Sequence, residues 1–274
     1  MEKIIPILVY SEDDIAGKNI TKILREEGMK VHEIKGELIY AERIDEELRK
    51  IEEFNFIIFL SRHKSAEKRK TLTVHTIGNW KEAKYGGEEG KVSPANAIIN
   101  KEALIILKEE AEKAGIVGDG IKGYEVVMET THHGPLINTP SFFIETGGSA
   151  EEWNDEKAIK VIAETVKELL RRINNDEINY DKESIIAVGG PHYCPVFSKR
   201  QLTSEYAIGH LIPSYALPIN KEMIHEAINK TIPKPKKVLI EYKGLGRAEQ
   251  RDETIKLLKE EGIEVIRSEM KKEA

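Results

Sequence analysis

The sequence predicts an α/β fold, with a mostly parallel or mixed central sheet and helices on both faces. Two observations carry that expectation. Short uninterrupted apolar runs, above all FNFIIFL at Phe54–Leu60, read as strands covered on both faces. Amphipathic stretches such as Glu156–Ile173 alternate with them along most of the chain, as crossover helices do between parallel strands.

The elements follow in order. Ile4–Val9 is a buried strand. Ser11-Glu-Asp-Asp is an N-cap with an acidic first turn, and Ile15, Ile20, Ile23 and Leu24 mark the inner face of a helix ending at Gly28. Met29–Ile34 is a strand, Ile44–Glu53 a helix, and Phe54–Leu60 the clearest strand of all. Leu72–Thr76 is a strand, residues 81–94 a polar glycine-rich loop, and Ala95–Ala114 a long helix. Strands Tyr124–Thr130 and Ser141–Thr146 precede the helix Glu156–Ile173, whose apolar positions recur at helical spacing. Ile185–Val188 is a strand, Glu205–Leu211 a turn or short helix, and Lys221–Lys230 a helix. Val238–Tyr242, Arg247–Glu261 and Ile263–Arg267 close the chain as strand, helix and strand. No internal repeat is present. The 274 residues are read as a single α/β domain, 1–274, with an internal linker at Asn174–Glu183.

Composition narrows the function classes. A hydrophobic fraction of 40% supports a core, and 33% charged residues give a hydrated surface. No apolar run approaches the roughly 20 residues that span a bilayer, so no membrane partner is expected. The N-terminal apolar run is too short for a signal peptide. Cys194 is the single cysteine, so no intramolecular disulfide forms and a cytoplasmic location is expected. Abundant Lys and Glu with scarce Cys lean toward a thermophile. A net charge of −6 gives no global attraction for nucleic acid, so such a partner needs a local basic surface. Arg62, Lys64, Lys68, Arg69 and Lys70 supply one, and Lys234, Lys236 and Lys237 another, unless each is simply a solvated loop.

Six of the eight histidines fall in short punctuated segments, most of them following a strand-like run: His63, His75, His132, His133, His192 and His210. Imidazole is the commonest side-chain ligand for zinc and the usual proton carrier near neutral pH. In Thr131-His132-His133-Gly134-Pro135, adjacent side chains on an extended segment point to opposite sides, so one imidazole can enter a site while the other orients it. In Gly189-Gly190-Pro191-His192-Tyr193-Cys194-Pro195, the two glycines let backbone approach a ligand and offer amides to an oxyanion, as Gly147-Gly148 also can. Cys194 is either a ligand beside His192 or, more plainly, a small buried apolar residue. Glu145 ends the apolar run Phe142-Phe143-Ile144, so its charge, unless it simply faces the surface, calls for a metal, a histidine or a reacting proton. Trp80 stacks on a substrate ring or fills the core. His-Glu-x-x-His, Gly-x-Ser-x-Gly and the Walker loop are all absent, which weakens metalloprotease, serine hydrolase and NTPase readings. Gly244-Leu-Gly-Arg247 resembles half of a phosphate-binding turn.

In Ser61-Arg62-His63, Gly78-Asn79-Trp80, Thr131-His132-His133-Gly134-Pro135, Val188-Gly189-Gly190-Pro191-His192-Tyr193 and Gly209-His210, the chain resembles the archaeal and plant type of D-aminoacyl-tRNA deacylase over nearly its whole length. The resemblance implies a Zn2+-dependent hydrolase in translation quality control that removes D-amino acids from tRNA. It also implies a core like that of peptidyl-tRNA hydrolase and nucleoside phosphorylases. On this reading a metal activates water for attack on the ester. His63, His75, His132, His133, His192 and His210 share metal binding and proton transfer, with Glu145 as general base. Arg62, Lys64, Lys68, Arg69, Lys70, Trp80, Gly189 and Gly190 contact the substrate. The partner is tRNA carrying a D-amino acid, and no obligatory protein partner is evident. Two alternatives stand beside it: a metal-dependent amidohydrolase or peptidase on small substrates, and a non-catalytic RNA- or metabolite-binding protein.

Overall fold

The computed structural model describes residues 3–64 and 68–268. The strands are β1 (Pro6–Ser11), β2 (His32–Ile34), β3 (Phe56–Lys64), β4 (Thr71–His75), β5 (Ala95–Asn96), β6 (Glu125–Met128), β7 (Ser141–Gly148), β8 (Glu183–Val188), β9 (Tyr206–Ile212), β10 (Thr231–Ile232), β11 (Lys237–Ile240) and β12 (Glu264–Arg267). The helices are α1 (Ile15–Glu26), α2 (Ile44–Leu48), α3 (Ala97–Lys113), α4 (Ala150–Trp153), α5 (Glu156–Asn174), α6 (Pro195–Thr203), α7 (Lys221–Asn229) and α8 (Ala248–Glu260). A six-stranded sheet runs β2-β1-β3-β7-β4-β6, a four-stranded sheet runs β12-β11-β8-β9, and β10 pairs with β5. Neighbours are parallel except β4 and β7, which are antiparallel. None of the described helices is long and apolar enough to cross a membrane.

The apolar runs explain the layering. Along β3 and β7, Phe56, Ile58, Leu60, Phe142 and Ile144 face the main core, while Ile57, Phe59 and Phe143 face the opposite side. That is the period-2 alternation of a sheet covered twice. Helix α3 joins the two large sheets, packing on β4 and β6 of one, β9 of the other, and α5. The main core accordingly draws Ile185, Leu211 and Leu239 from the second sheet as well. Local capping sets the helix starts: Asn96 accepts from the amides of Ile98 and Ile99, and Asp155 from those of Lys157 and Ala158.

Several elements depart from the sequence-based reading, among them the following. Residues 206–212 are a strand rather than a turn, because they pair in parallel with β8, with Gly209 and His210 at an irregularity opposite the step from Ile185 to Ala187. The helix foreseen at Ile44–Glu53 stops at Leu48. β3 continues past Leu60 through Ser61-Arg62-His63 to Lys64, since β7 pairs with it along that length. Helix α6 was not foreseen; Pro195 opens it at the first position, where no amide is needed.

Trp80 belongs to the second core cluster, 5% exposed, with its indole N–H donating to the Leu211 carbonyl at 3.0 Å. Of the two roles the sequence offers Trp80, the structure places the ring in the core, outside the lining of the cleft. Trp80→Phe should lower unfolding free energy by about 1–3 kcal/mol, because a buried carbonyl loses its donor, with substrate KM unchanged. Denaturant titration and steady-state kinetics check this; a raised KM at unchanged stability would return the ring to the substrate.

Candidate metal centre and cleft

Strand register assembles the first half of the site. Glu145 pairs with Ser61 on one side and with Thr73 on the other. His63 and His75 lie two residues along from those partners, so both stand on the face that carries Glu145. His63 Nδ1 is 3.3 Å from Glu145 Oε2, and His75 Nε2 is 3.7 Å from the same oxygen. Beneath them Phe59 and Phe143 stack, and the His75 ring lies parallel to Phe143 at 5.3 Å. Gly147 is required beside His63, because a Cβ there would fall 2.4 Å from the His63 Cβ. Since β4 is antiparallel to β7, these residues share a sheet face rather than a common row of strand ends.

The second half comes from two loops stitched together. After β6, the Glu129 amide donates to Val74 O at 3.2 Å and the Thr130 amide to His192 O at 3.1 Å. This brings His192, from the turn after β8, over the first sheet. Glu129 is 1% exposed, with its oxygens 3.3 Å from His63 Nδ1, 2.9 Å from His192 Nε2 and 3.6 Å from His132 Nε2. Neither Glu129 oxygen receives a hydrogen bond of good geometry, and His75 Nε2 is also unpaired. His133 adopts a left-handed φ of 43°, a strained conformation for a side chain of this size.

The imidazoles are oriented by their outer nitrogens. Nδ1 of His75, His132 and His133 faces the carbonyls of Thr76, Thr130 and Gly134 at 3.1, 2.8 and 2.7 Å. A carbonyl only accepts, so each Nδ1 carries the proton. His132 and His133, kept neutral, then turn Nε2 lone pairs inward, and His75 does so once its Nε2 proton is lost. The ligand atoms of His75, His132 and His133 lie within 4.8 Å of one another, as do those of His63, Glu129 and His192. Two residue triads with no member in common thus adjoin.

Burial sets the charges. It holds His132 well below the ordinary histidine range and His133 at about 4, helped by positive charge on His75. Burial opposes charge on His63 too, but Glu129 and Glu145 outweigh it and push His63 to about 9. His75 is likewise raised, burial being overcome by Glu145. Both carboxyls resist burial and stay ionised, held below the usual range by His63, His75 and His192. His63 Nε2 also meets the Tyr193 hydroxyl at 2.7 Å.

The cluster opens into a cleft of about 580 Å³ lined by His63, His132, His133, Glu145 and His192, with Asp13, Asp14, Glu37, Leu38, Ile39, Arg62, Lys64 and Tyr85 around it. The cleft also reaches the carboxyl ends of β1 and β3, where the strand order reverses, a usual place for ligands in open α/β sheets. Asp14 shapes this end: it caps α1 at Gly17 N and accepts from Ser61 Oγ and Arg62 N.

The structure therefore brings together His63, His75, His132, His133, Glu145 and His192 among the sequence-derived candidates. His210 stands apart, fully buried against Thr131 Oγ1 and edge-on to Trp80, with burial pushing it down to about 3. The Gly189 amide is committed to Ile212 O, the Gly190 carbonyl accepts from Ser214, and neither glycine is among the residues lining the cleft. Cys194 is buried, its thiol directed to Met128 O. In the basic stretch, Arg62 and Lys64 line the cleft, Arg69 pairs with Glu125, Lys70 pairs with Glu151 and Glu152, and Lys68 is exposed. Glu129 and Tyr193 were not singled out from sequence. A carboxylate directly after Val-Val-Met and three residues before His132 was the available signal for Glu129.

Comparison with known proteins agrees with this architecture. The family model for D-aminoacyl-tRNA deacylase matches residues 50–266. The chain is 34% identical to D-aminoacyl-tRNA deacylase of Pyrococcus abyssi over 97% of its length and 94% of that protein. It is 33% identical to the protein of that name from Methanocaldococcus jannaschii, over 94% and 97%. The crystal structure of AF0625, a conserved protein of unknown function, superposes with a TM-score of 0.85 at 29% identity, covering 98% of this chain and 96% of that one. The chain belongs to the D-aminoacyl-tRNA deacylase family.

Proposed function

We propose that this chain hydrolyses the ester joining a D-amino acid to the terminal ribose of tRNA, with Zn2+ held by the histidine cluster. Family membership supports the substrate class. The observation that carries the metal reading is the convergence of His75, His132 and His133 on one point, their Nδ1 atoms committed to carbonyls. Converging lone pairs repel each other unless a cation lies between them. Imidazole nitrogen with carboxylate oxygen suits zinc. His63, Glu129 and His192 offer a second set of ligands beside the first. Without a cation, charge on His63 and His75 balances Glu129 and Glu145; a cation at His75, His132 and His133 would release the His75 proton and leave that on His63.

Zinc at these residues would supply a Lewis acid for the ester carbonyl and bring the pKa of water toward neutrality. The remaining work falls to side chains. Glu145 accepts the proton lost by the attacking water. His63, held protonated between two carboxylates, gives a proton to the ribose oxygen as the ester C–O bond breaks. Tyr193 keeps the His63 ring in place. Arg62 and Lys64 face the phosphates of the incoming strand. A tRNA substrate and a single cysteine fit action in the cytoplasm.

Release of D-tyrosine from D-tyrosyl-tRNA, with the L-ester and a small D-tyrosine ester as controls, tests the reading. The D-tRNA ester should be cleaved far faster than either control, chelation should stop it, and zinc should restore it. Full activity after verified metal removal would contradict the metal; equal cleavage of both enantiomers would contradict the chirality; equal cleavage of the small ester would favour the small-substrate hydrolase. His133→Ala should lose bound zinc by elemental analysis and lower kcat at least about 100-fold. Glu129→Gln, which keeps shape and removes charge, should lower metal affinity by about 10- to 100-fold.

A further inference from the structure

One wall of the cleft is built with a rigidity that metal binding does not require. The 3-10 turn at Leu38–Tyr40, the loop at 85–87 and the His133–Gly134 turn interlock around a single carbonyl. A Cβ on Gly86 would fall 1.7 Å from Ile39 O, and one on Gly134 would fall 2.4 Å from the same oxygen. Only glycine permits the approach at either position. The Gly134 amide donates to Tyr85 O at 2.8 Å. Glu42 then clamps both flanks, accepting from the amides of Gly87 at 2.7 Å and Leu136 at 2.9 Å. Asn79 Nδ2 adds a bond to Gly86 O at 2.8 Å. The backbone under Tyr85 is thus fixed to the residue that follows His133.

The Tyr85 ring takes little shelter from this framework. It is 63% exposed, and it lines the cleft beside Leu38 and Ile39. Holding an aromatic ring in water on a pre-ordered support is unfavourable for folding and favourable for binding, because little entropy is then lost when a flat ligand arrives. Acidic Asp13 and Glu37 and basic Arg62 and Lys64 line the same cleft, so charge alone does not select its occupant. The exposed ring on its fixed support favours a flat, partly apolar group.

We propose that Tyr85, with Leu38 and Ile39, is the subsite for the 3′-terminal adenine of the tRNA, the base stacking on the Tyr85 ring. The inference rests on the deacylase reading, which sets the ester one ribose away from that base. An adenosine ends every aminoacyl-tRNA, whereas the amino-acid side chain varies, and a fixed aromatic platform suits the constant group. The rim position suits a group delivered by an extended strand. Stacking here would hold the ribose ester over His133 and Glu145, converting binding energy into orientation of the reacting carbonyl.

Adenosine 5′-monophosphate is the probe, titrated by calorimetry into the zinc-loaded full chain. It should bind wild type and Tyr85→Phe with similar Kd and Tyr85→Ala about 5- to 100-fold more weakly, the range that base–aromatic stacking spans. KM for D-tyrosyl-tRNA and D-alanyl-tRNA should rise by one common factor in Tyr85→Ala. Thermal unfolding should be unchanged, since the ring is exposed and the clamps are backbone. Absence of binding to wild type, or equal binding to Tyr85→Ala, would overturn the subsite. A KM rise confined to D-tyrosyl-tRNA would overturn it too, assigning the platform to the amino-acid side chain. Tyr85-dependent binding in a protein that leaves D-aminoacyl-tRNA intact would keep the subsite and sink the deacylase reading; hydrolysis without that binding would do the reverse.

Discussion

Glu129 and Glu145 are carboxylates almost wholly removed from water, and the rest of the site is arranged around the need to compensate them. An isolated ionised carboxyl in such a place would be neutralised or expelled. Here two of them are met by His63, His75, His132 and His192 from four separate segments. The backbone serves the same end. Carbonyls of Thr76, Thr130 and Gly134 fix three ring orientations, and His133 is held at a positive φ to join them. Buried polar clusters of this kind are costly unless every member is satisfied. The Glu129 oxygens and His75 Nε2 lie within ion-pair range of these partners but lack a well-formed hydrogen bond, which a cation would make good.

The fold supplies the scaffold for this constraint. Continuous apolar strands are covered on both faces, and the smaller face ends in the Phe59–Phe143 stack on which His75 rests. Side-chain placement on neighbouring strands is then fixed to within a residue, because a slip of one would turn His63 and Glu145 to opposite faces. The loops after β6 and β8 have no such ladder. They are positioned by backbone bonds between Thr130 and His192 and between Thr131 and Leu211, which tie the first sheet to the second.

Much of this was legible in the sequence, and the failures have physical causes. Strands with continuous apolar runs announced themselves, and Glu145 drew attention because a carboxylate ending such a run needs a partner if it is buried. The histidines at 63, 132, 133 and 192 followed from position. His210 and Trp80 misled because one sequence reveals where a polar residue sits along a strand but not which core covers it. Glu129 was hidden for a related reason: only the pairing of its loop with Tyr193 shows that its carboxyl points inward. The reversed direction of β4 was invisible as well, since parallel and antiparallel neighbours share the same alternation.

The central claim is that the converging imidazoles of His75, His132 and His133 hold a divalent cation. Anomalous diffraction at the zinc absorption edge, on crystals grown from metal-replete protein, tests it most directly. The account predicts an anomalous peak within bonding distance of those three rings. Its absence, in protein of the same preparation that cleaves D-tyrosyl-tRNA at full rate, would contradict the account.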